Sequence, residues 1–292
     1  MSRTGVTHRP DNEGEFDDDD FDVEDSDANA PTYSDAVITF FDILGFGSLV
    51  ATRTAAEIYS IVANFQNTYD TLTGPYPPDE LRSVKRFSLF SDSAVRIAYF
   101  DPAVPELASM IVLQEIISCM YIQLMLLRER VYIRGGMAVG GIFFAGTKLF
   151  GPGLLEAYNL ENKLARYPRI AVSEGALTLA QSGRFGGAFH DGYVTTSSDG
   201  VSYIDYLRGA SHEYRGFGEY LDLLWEHRGW ITELLERTGT PDAVREKYEW
   251  MATYHDATIM KFRDVILHRS RMKIHEMLIP PELWNSKSEL PV

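Results

Sequence analysis

The chain has 292 residues, 45% of them hydrophobic and 24% charged, with a formal net charge of −15. That length allows one large domain or two small ones with enough apolar content for a core, and the negative balance argues against a nucleic-acid partner or an anionic membrane surface. The single cysteine, Cys119, excludes an internal disulfide and suits a reducing, cytoplasmic setting, reading as a small core residue.

The charge is unevenly placed. Residues 1–30 carry eleven acids, among them the run DDDD at 17–20, against Arg3 and Arg9, so the tail alone accounts for −9. It is poor in aliphatics, which predicts a disordered, solubilising segment over 1–32 with the main domain starting near Tyr33. The acidic N-terminus lacks the basic and apolar regions of a signal peptide. Downstream, the pattern predicts a strand at 36–43, a glycine-bearing turn and a helix over about 53–71. TGPYPPDE is a loop, and KRFSLFSDSAVRIAYF is a two-strand hairpin turning near Ser91–Ser93. A long apolar helix follows over 105–129. Gln114, Glu115 and Gln123 interrupt it, so it reads as a buried helix and not a membrane span. Then come a strand from Val131 to about Phe144, a helix from Gly153 to Ala165, the short strand RIAVS, the short helix EGALTLAQ, and a hairpin turning at Asp199–Gly200. This order predicts an α+β fold, a ferredoxin-like βαββαβ core with an αβ extension, over residues 33–210. Residues 211–292 form a C-terminal helical extension, with amphipathic helices over 217–237 and 242–275.

One acid stands out. In ITFFDILGFGSLV an apolar strand ends on Asp42, and charge in such a place needs a partner. In the expected topology Asp92, in LFSDSAV, lies at the same end of a neighbouring strand. Two carboxylates brought together repel unless a cation lies between them, and hard cations such as Mg²⁺ or Mn²⁺ take carboxylate and phosphate oxygens. The turn Leu44–Gly45–Phe46–Gly47 then fits phosphate, its glycines allowing close approach and its amides lying near a helix start. Counting in twos along the hairpin puts Arg96 on the side of Asp92, as a donor to a pyrimidine carbonyl or a phosphate. The alternative is an exposed strand arginine paired with a surface acid. Arg134, opening RGG, reads as structural, and Tyr158, Tyr99 and Phe41 as core, although Phe41 adjoins Asp42 and is placed to flank a nucleotide. His268 and His275 read as packing or surface residues.

In order and spacing, FFDILGF, FSDS, RGGMAVG and FGPGLLEAYNLENKLA…RIAVS resemble the catalytic domain of class III nucleotidyl cyclases, and more closely the bacterial Pycsar antiphage pyrimidine cyclases. The resemblance spans roughly residues 36–208. It implies a homodimer with composite sites, two Mn²⁺ or Mg²⁺ ions held by Asp42, Asp92 and the backbone carbonyl of Ile43, and a cyclic nucleotide product that activates a separate effector. Against purine cyclases, the two base-reading positions hold Ser88 and Lys148, neither matching the adenine nor the guanine set, which points to a pyrimidine with UTP ahead of CTP. The family's N-x-x-x-R on the next helix falls in one register with Asn159 at the arginine, and in the other as Asn159 with Lys163. The resulting expectation is a uridylate cyclase with Asp42, Asp92 and Asn159 at the reaction centre. Cytidylate cyclisation and a non-catalytic nucleotide sensor are the alternatives.

Overall fold

Strand β1 (Ser34–Ile43) lies antiparallel between β3 (Ser93–Tyr99) and β4 (Ile133–Ala145), and β2 (Lys85–Phe90) pairs with the outer side of β3. Helices α1 (Phe46–Thr52) and α2 (Ala55–Thr71) connect β1 to β2, and α3 (Pro105–Arg128) connects β3 to β4. The resulting order β2-β3-β1-β4 is the expected ferredoxin-like βαββαβ core. The computed structural model describes residues 31–71, 85–90, 92–184, 186–270 and 272–284, with backbone alone at 64–71, 85–90 and 188–191. The acidic segment 1–30 and the TGPYPPDE loop lie outside the described residues.

Beyond the core, β5 (Lys148–Phe150) folds back on the far end of β4, and α4 (Pro152–Lys163) returns across the sheet. Strand β6 (Ile170–Val172) extends the sheet parallel to β4. After α5 (Glu174–Ser182) and α6 (Gly186–Tyr193), β7 (Val194–Thr196) and β8 (Ser202–Ile204) complete it.

The pleat sorts β1 into two faces. Val37, Phe41 and Ile43 join the cluster around α3, while Ala36 and Ile38 join the smaller one under α4. Helix α3 is long and apolar enough to cross a membrane, but it is buried on nearly every side by this protein. On the other face α4 lies close to the strands because Gly136, Gly140 and Gly153 carry no side chain. A Cβ at Gly136 would collide with the α4 backbone at Ala157.

The described residues from 211 to 284 belong to the same compact unit as the sheet. Helix α7 (Tyr206–Glu213), capped by Asp205, leads into α8 (Phe217–Glu236) and α9 (Asp242–Lys261), followed by the short α10 (Arg263–Arg269) and α11 (Ile274–Met277). The single helix expected over 242–275 therefore breaks at Phe262, whose ring packs edge-on against Tyr220 at 5.4 Å. Tertiary packing overrides a local pattern that would have continued. A buried polar chain joins these helices. His255 Nε2–H donates to the Met277 carbonyl (2.9 Å), leaving its Nδ1 to accept from His227 Nδ1–H (3.0 Å). His227 Nε2 then accepts from the Tyr206 hydroxyl (3.0 Å). Both rings are fully enclosed, and burial holds both imidazoles below their ordinary range, His255 at about 4.

Candidate active site

The site forms where β1, β3 and β4 end together. Asp42 lies opposite Ser93 on one side and Arg134 on the other, and the Ile43 amide donates to the carbonyl of Asp92 (3.0 Å). Register thus places Asp92 beside Asp42 and Ile43, as the topology predicted. The half-buried Asp42 carboxylate is on the α4 face and accepts from Arg134 Nε at 2.9 Å. The same nitrogen is 2.7 Å from Oε1 of Glu161, a nearly enclosed residue of α4 whose Oε1 has no hydrogen-bond donor among the described residues. Arg134 is therefore part of the site and not merely structural. Its terminal nitrogens make no hydrogen bond among the described residues.

Arg134 and Glu161 are the residues that sequence reasoning missed. A signal for Arg134 was present: it is the only charge in IRGGMAVGGIFFA, as Asp42 is the only one in AVITFFDI. Two isolated opposite charges in neighbouring apolar strands are candidates to pair. Glu161 had no comparable mark, since an acid in NLENK reads as a helix surface.

Electrostatics match this geometry. Burial, and secondarily the charge of Asp92, push the Asp42 carboxyl up against the opposing pull of Arg134. Glu161 is raised by burial and by both aspartates. From α9, Lys247 lies in the same field, its ammonium pushed down by burial and then by Arg134. Three carboxyls thus face two cations. Asp42, Asp92 and the Ile43 carbonyl offer oxygen donors only, the chemistry of a hard divalent cation, and the mutual repulsion of the acids is what such an ion relieves. Among the described residues no group of three His, Cys, Asp or Glu side chains gathers to hold a metal, so the protein's share of any cation site here is this two-acid set.

The remaining expected residues divide. Gly45 takes a left-handed conformation (φ 74°) before α1, and a Cβ at Gly45 or Gly47 would meet nothing within 4 Å among the described residues, which leave the space in front of the turn open. The Leu44 amide is already bonded to the Tyr132 carbonyl (2.8 Å) and is not available to a phosphate, whereas Phe46 and Gly47 begin the helix. Phe46 packs its ring against the core. Ser88 pairs with Val95 on the outermost strand β2, and its side chain lies outside the described part.

Two expectations are corrected. Arg96 is 1% exposed and faces α3, where Nε (3.1 Å) and Nη2 (2.9 Å) donate to Glu115. The pleat puts it on the sheet face opposite Asp42, so it is a buried structural pair and does not reach a nucleotide at that site. Phe41, also 1% exposed, points into the same core and cannot flank a ligand beside Asp42.

Two further residues are not brought to the acids within one chain. Lys148 is exposed on β5, paired with Ala145, eleven residues along β4 from Arg134, on the order of 35 Å away at strand rise. Asn159 lines an open groove of about 410 Å³ on the outer side of α4 with Pro152, Leu155 and Lys163, turned away from Glu161. Leu164 lines it too, and like Leu155 it is exposed.

No protein-family model matches the chain, and no curated protein matches it. Among solved structures it is similar to the adenylyl cyclase CyaB from P. aeruginosa, at 14% identity over 60% of this chain and 96% of that one, with a TM-score of 0.44. It is similar at 14% identity to the guanylate cyclase domain of RhGC from Catenaria anguillulae in complex with GTP, over 60% of this chain and 98% of that one, TM-score 0.43. A bacterial light-regulated adenylyl cyclase matches at 15% identity over 67% and 99%, TM-score 0.39.

Proposed function

We propose that the chain is a nucleotide cyclase that converts UTP to 3′,5′-cyclic UMP and pyrophosphate as a homodimer. The supporting observation is the register of β1, which sets Asp42 opposite Arg134 and bonds the next residue, Ile43, to Asp92 at one end of a ferredoxin-like sheet. The motif resemblance in FFDILGF and FSDS gives that constellation its reaction.

In this reading Asp42, Asp92 and the Ile43 carbonyl would hold two divalent cations, which would supply charge neutralisation for the triphosphate and a more acidic 3′-hydroxyl. The 3′-oxygen forms the new bond to the α-phosphorus, the bond to the bridging oxygen breaks, and pyrophosphate leaves with that electron pair. The hydroxyl proton passes to water. The chain's own work is positioning. When Asp42 turns to a cation, Glu161 keeps hold of Arg134, whose terminal nitrogens are left to donate to phosphate oxygens. The open space before Gly45 and Gly47 admits the phosphates. Asn159, turned away from the acids, and Lys148, remote from them in its own chain, act in the site of a second copy whose contact is the apolar outer side of α4. Ser88 and Lys148 replace the purine-reading pairs. With Arg96 committed to Glu115, the preference for uracil over cytosine rests on Lys148 donating to a carbonyl. The cyclic product then acts on a separate effector in antiphage defence.

The test is incubation of purified protein with Mn²⁺ and all four nucleoside triphosphates at equal concentration, with products read by mass spectrometry. Cyclic UMP is the expected main product. Cyclic CMP would overturn the choice of base, and cyclic AMP or cyclic GMP the pyrimidine reading. One observation favours a second reading, a nucleotide sensor without turnover: Asp42 already has a cation partner in Arg134. Tight triphosphate binding with no cyclic product from any base would establish it.

A further inference from the structure

The C-terminal helices are more than a support. We propose that α9 completes the site, with Lys247 supplying a second cation to the polyphosphate of a bound nucleotide. This deepens the reading above and rests on it for the identity of the ligand.

Placement comes first. The segment 164–169 that follows α4 runs beside the start of β4, where Gly135 N–H donates to the Arg169 carbonyl (3.0 Å), one residue from Arg134. Helix α9 docks on this segment. Glu246 accepts from Arg166 (2.9 Å) and from the Tyr167 hydroxyl (3.3 Å), and Trp250 stacks flat on Tyr167 with ring centroids 5.4 Å apart and planes 4° off parallel. The Arg169 guanidinium lies over the Tyr167, Tyr203 and Trp250 rings, so this part of α9 is held from several sides. Lys247 lies between these anchors, on the part of α9 that docks beside the start of β4, near enough for its charge to act on Asp42 and Arg134.

Charge explains the need. Arg134 is shared between Asp42 and Glu161 through a single nitrogen. With two divalent cations on the aspartates, cations and Arg134 together outweigh the three carboxyls by about two charges, roughly half of what a triphosphate brings, so a further cation has charge left to meet. Lys247 approaches from a different element and closes no ion pair within 4 Å among the described residues. Its flexible ammonium is thus free to turn to a phosphate oxygen.

The experiment uses the full chain and inorganic tripolyphosphate with Mg²⁺, titrated calorimetrically, alongside turnover with nucleoside triphosphates. Lys247→Met should weaken tripolyphosphate binding roughly tenfold or more, the worth of one bond to a charged group. It should raise KM more than it lowers kcat, and leave the melting temperature in place. Lys247→Arg should recover most of the affinity. Unchanged affinity in a folded Lys247→Met protein overturns the proposal, as does failure of the wild-type chain to bind tripolyphosphate at all. Lys247-dependent binding with no cyclic product from any base keeps this inference and removes the cyclase reading.

Discussion

The sheet carries two ion clusters, one on each face, and they are built in opposite ways. Arg96 and Glu115 are both almost fully enclosed between β3 and α3, one cation against one anion, held through two guanidinium nitrogens. Asp42, Arg134 and Glu161 lie at the strand ends under α4, half open, with two anions on one guanidinium nitrogen and a third acid beside them. Among the described residues that pair is balanced in charge and closed to solvent, and it serves the fold. The unbalanced, open cluster is electrostatically strained in isolation and has donors and acceptors to spare, which suits binding and catalysis.

The largest expected effect separates the two by activity. Asp42→Asn or Asp92→Asn should lower cyclisation by about 10³-fold or more, roughly 4 kcal/mol of barrier, because neither remaining acid can hold two cations against a triphosphate. Thermal melting should be unchanged or improved in Asp42→Asn, since the carboxylate there is already disfavoured by burial and by its neighbour. Near-normal turnover in either variant would remove the metal assignment.

Breaking the closed pair should do the reverse. Glu115→Leu removes the carboxylate that Arg96 holds in the core and should cost about 3–5 kcal/mol in denaturant unfolding. The double variant Arg96→Met with Glu115→Leu should regain most of that loss. If the double variant is as unstable as the single, the pair is doing more than balancing its own charge.

Acid titration gives a third test. His255 is held at about 4 when folded against an ordinary 6.5, so the unfolded chain takes up a proton between those values that the folded chain refuses. Its contribution is fully present above pH 6.5 and is lost as pH falls to about 4, roughly 3 kcal/mol in all. The charge that faces it is Arg228, which depresses it further, and the neighbouring His227 is neutral, depressed in the same direction. Asp256 of α9, raised to about 6 by burial, opposes this. Folded, it keeps its proton between pH 6 and 3.8, so its penalty at neutral pH is relieved on acidification. His255→Gln should therefore flatten the loss of stability between pH 7 and 5, and Asp256→Asn should steepen it, both read from melting temperature against pH. The smallest effect is deletion of residues 1–30, which should alter neither assembly in light scattering nor turnover.

Much of this was legible in the chain itself. The strand–helix order, the buried nature of α3 and the convergence of Asp42 with Asp92 follow from apolar periodicity and from a topology with few alternatives, because local pattern determines local structure. Packing decided the rest. Arg96 could be placed correctly only by knowing which sheet face each strand position takes, and α3 supplied Glu115 from nineteen residues away to receive it. Arg134 joined Asp42 across a strand pair separated by ninety-two residues, His227 met His255 across twenty-eight, and α9 brought Lys247 to the sheet end. Such meetings leave no mark in a local window. Each depends on a long-range register or docking angle, and those are fixed by the burial of whole faces and not by the residues that meet.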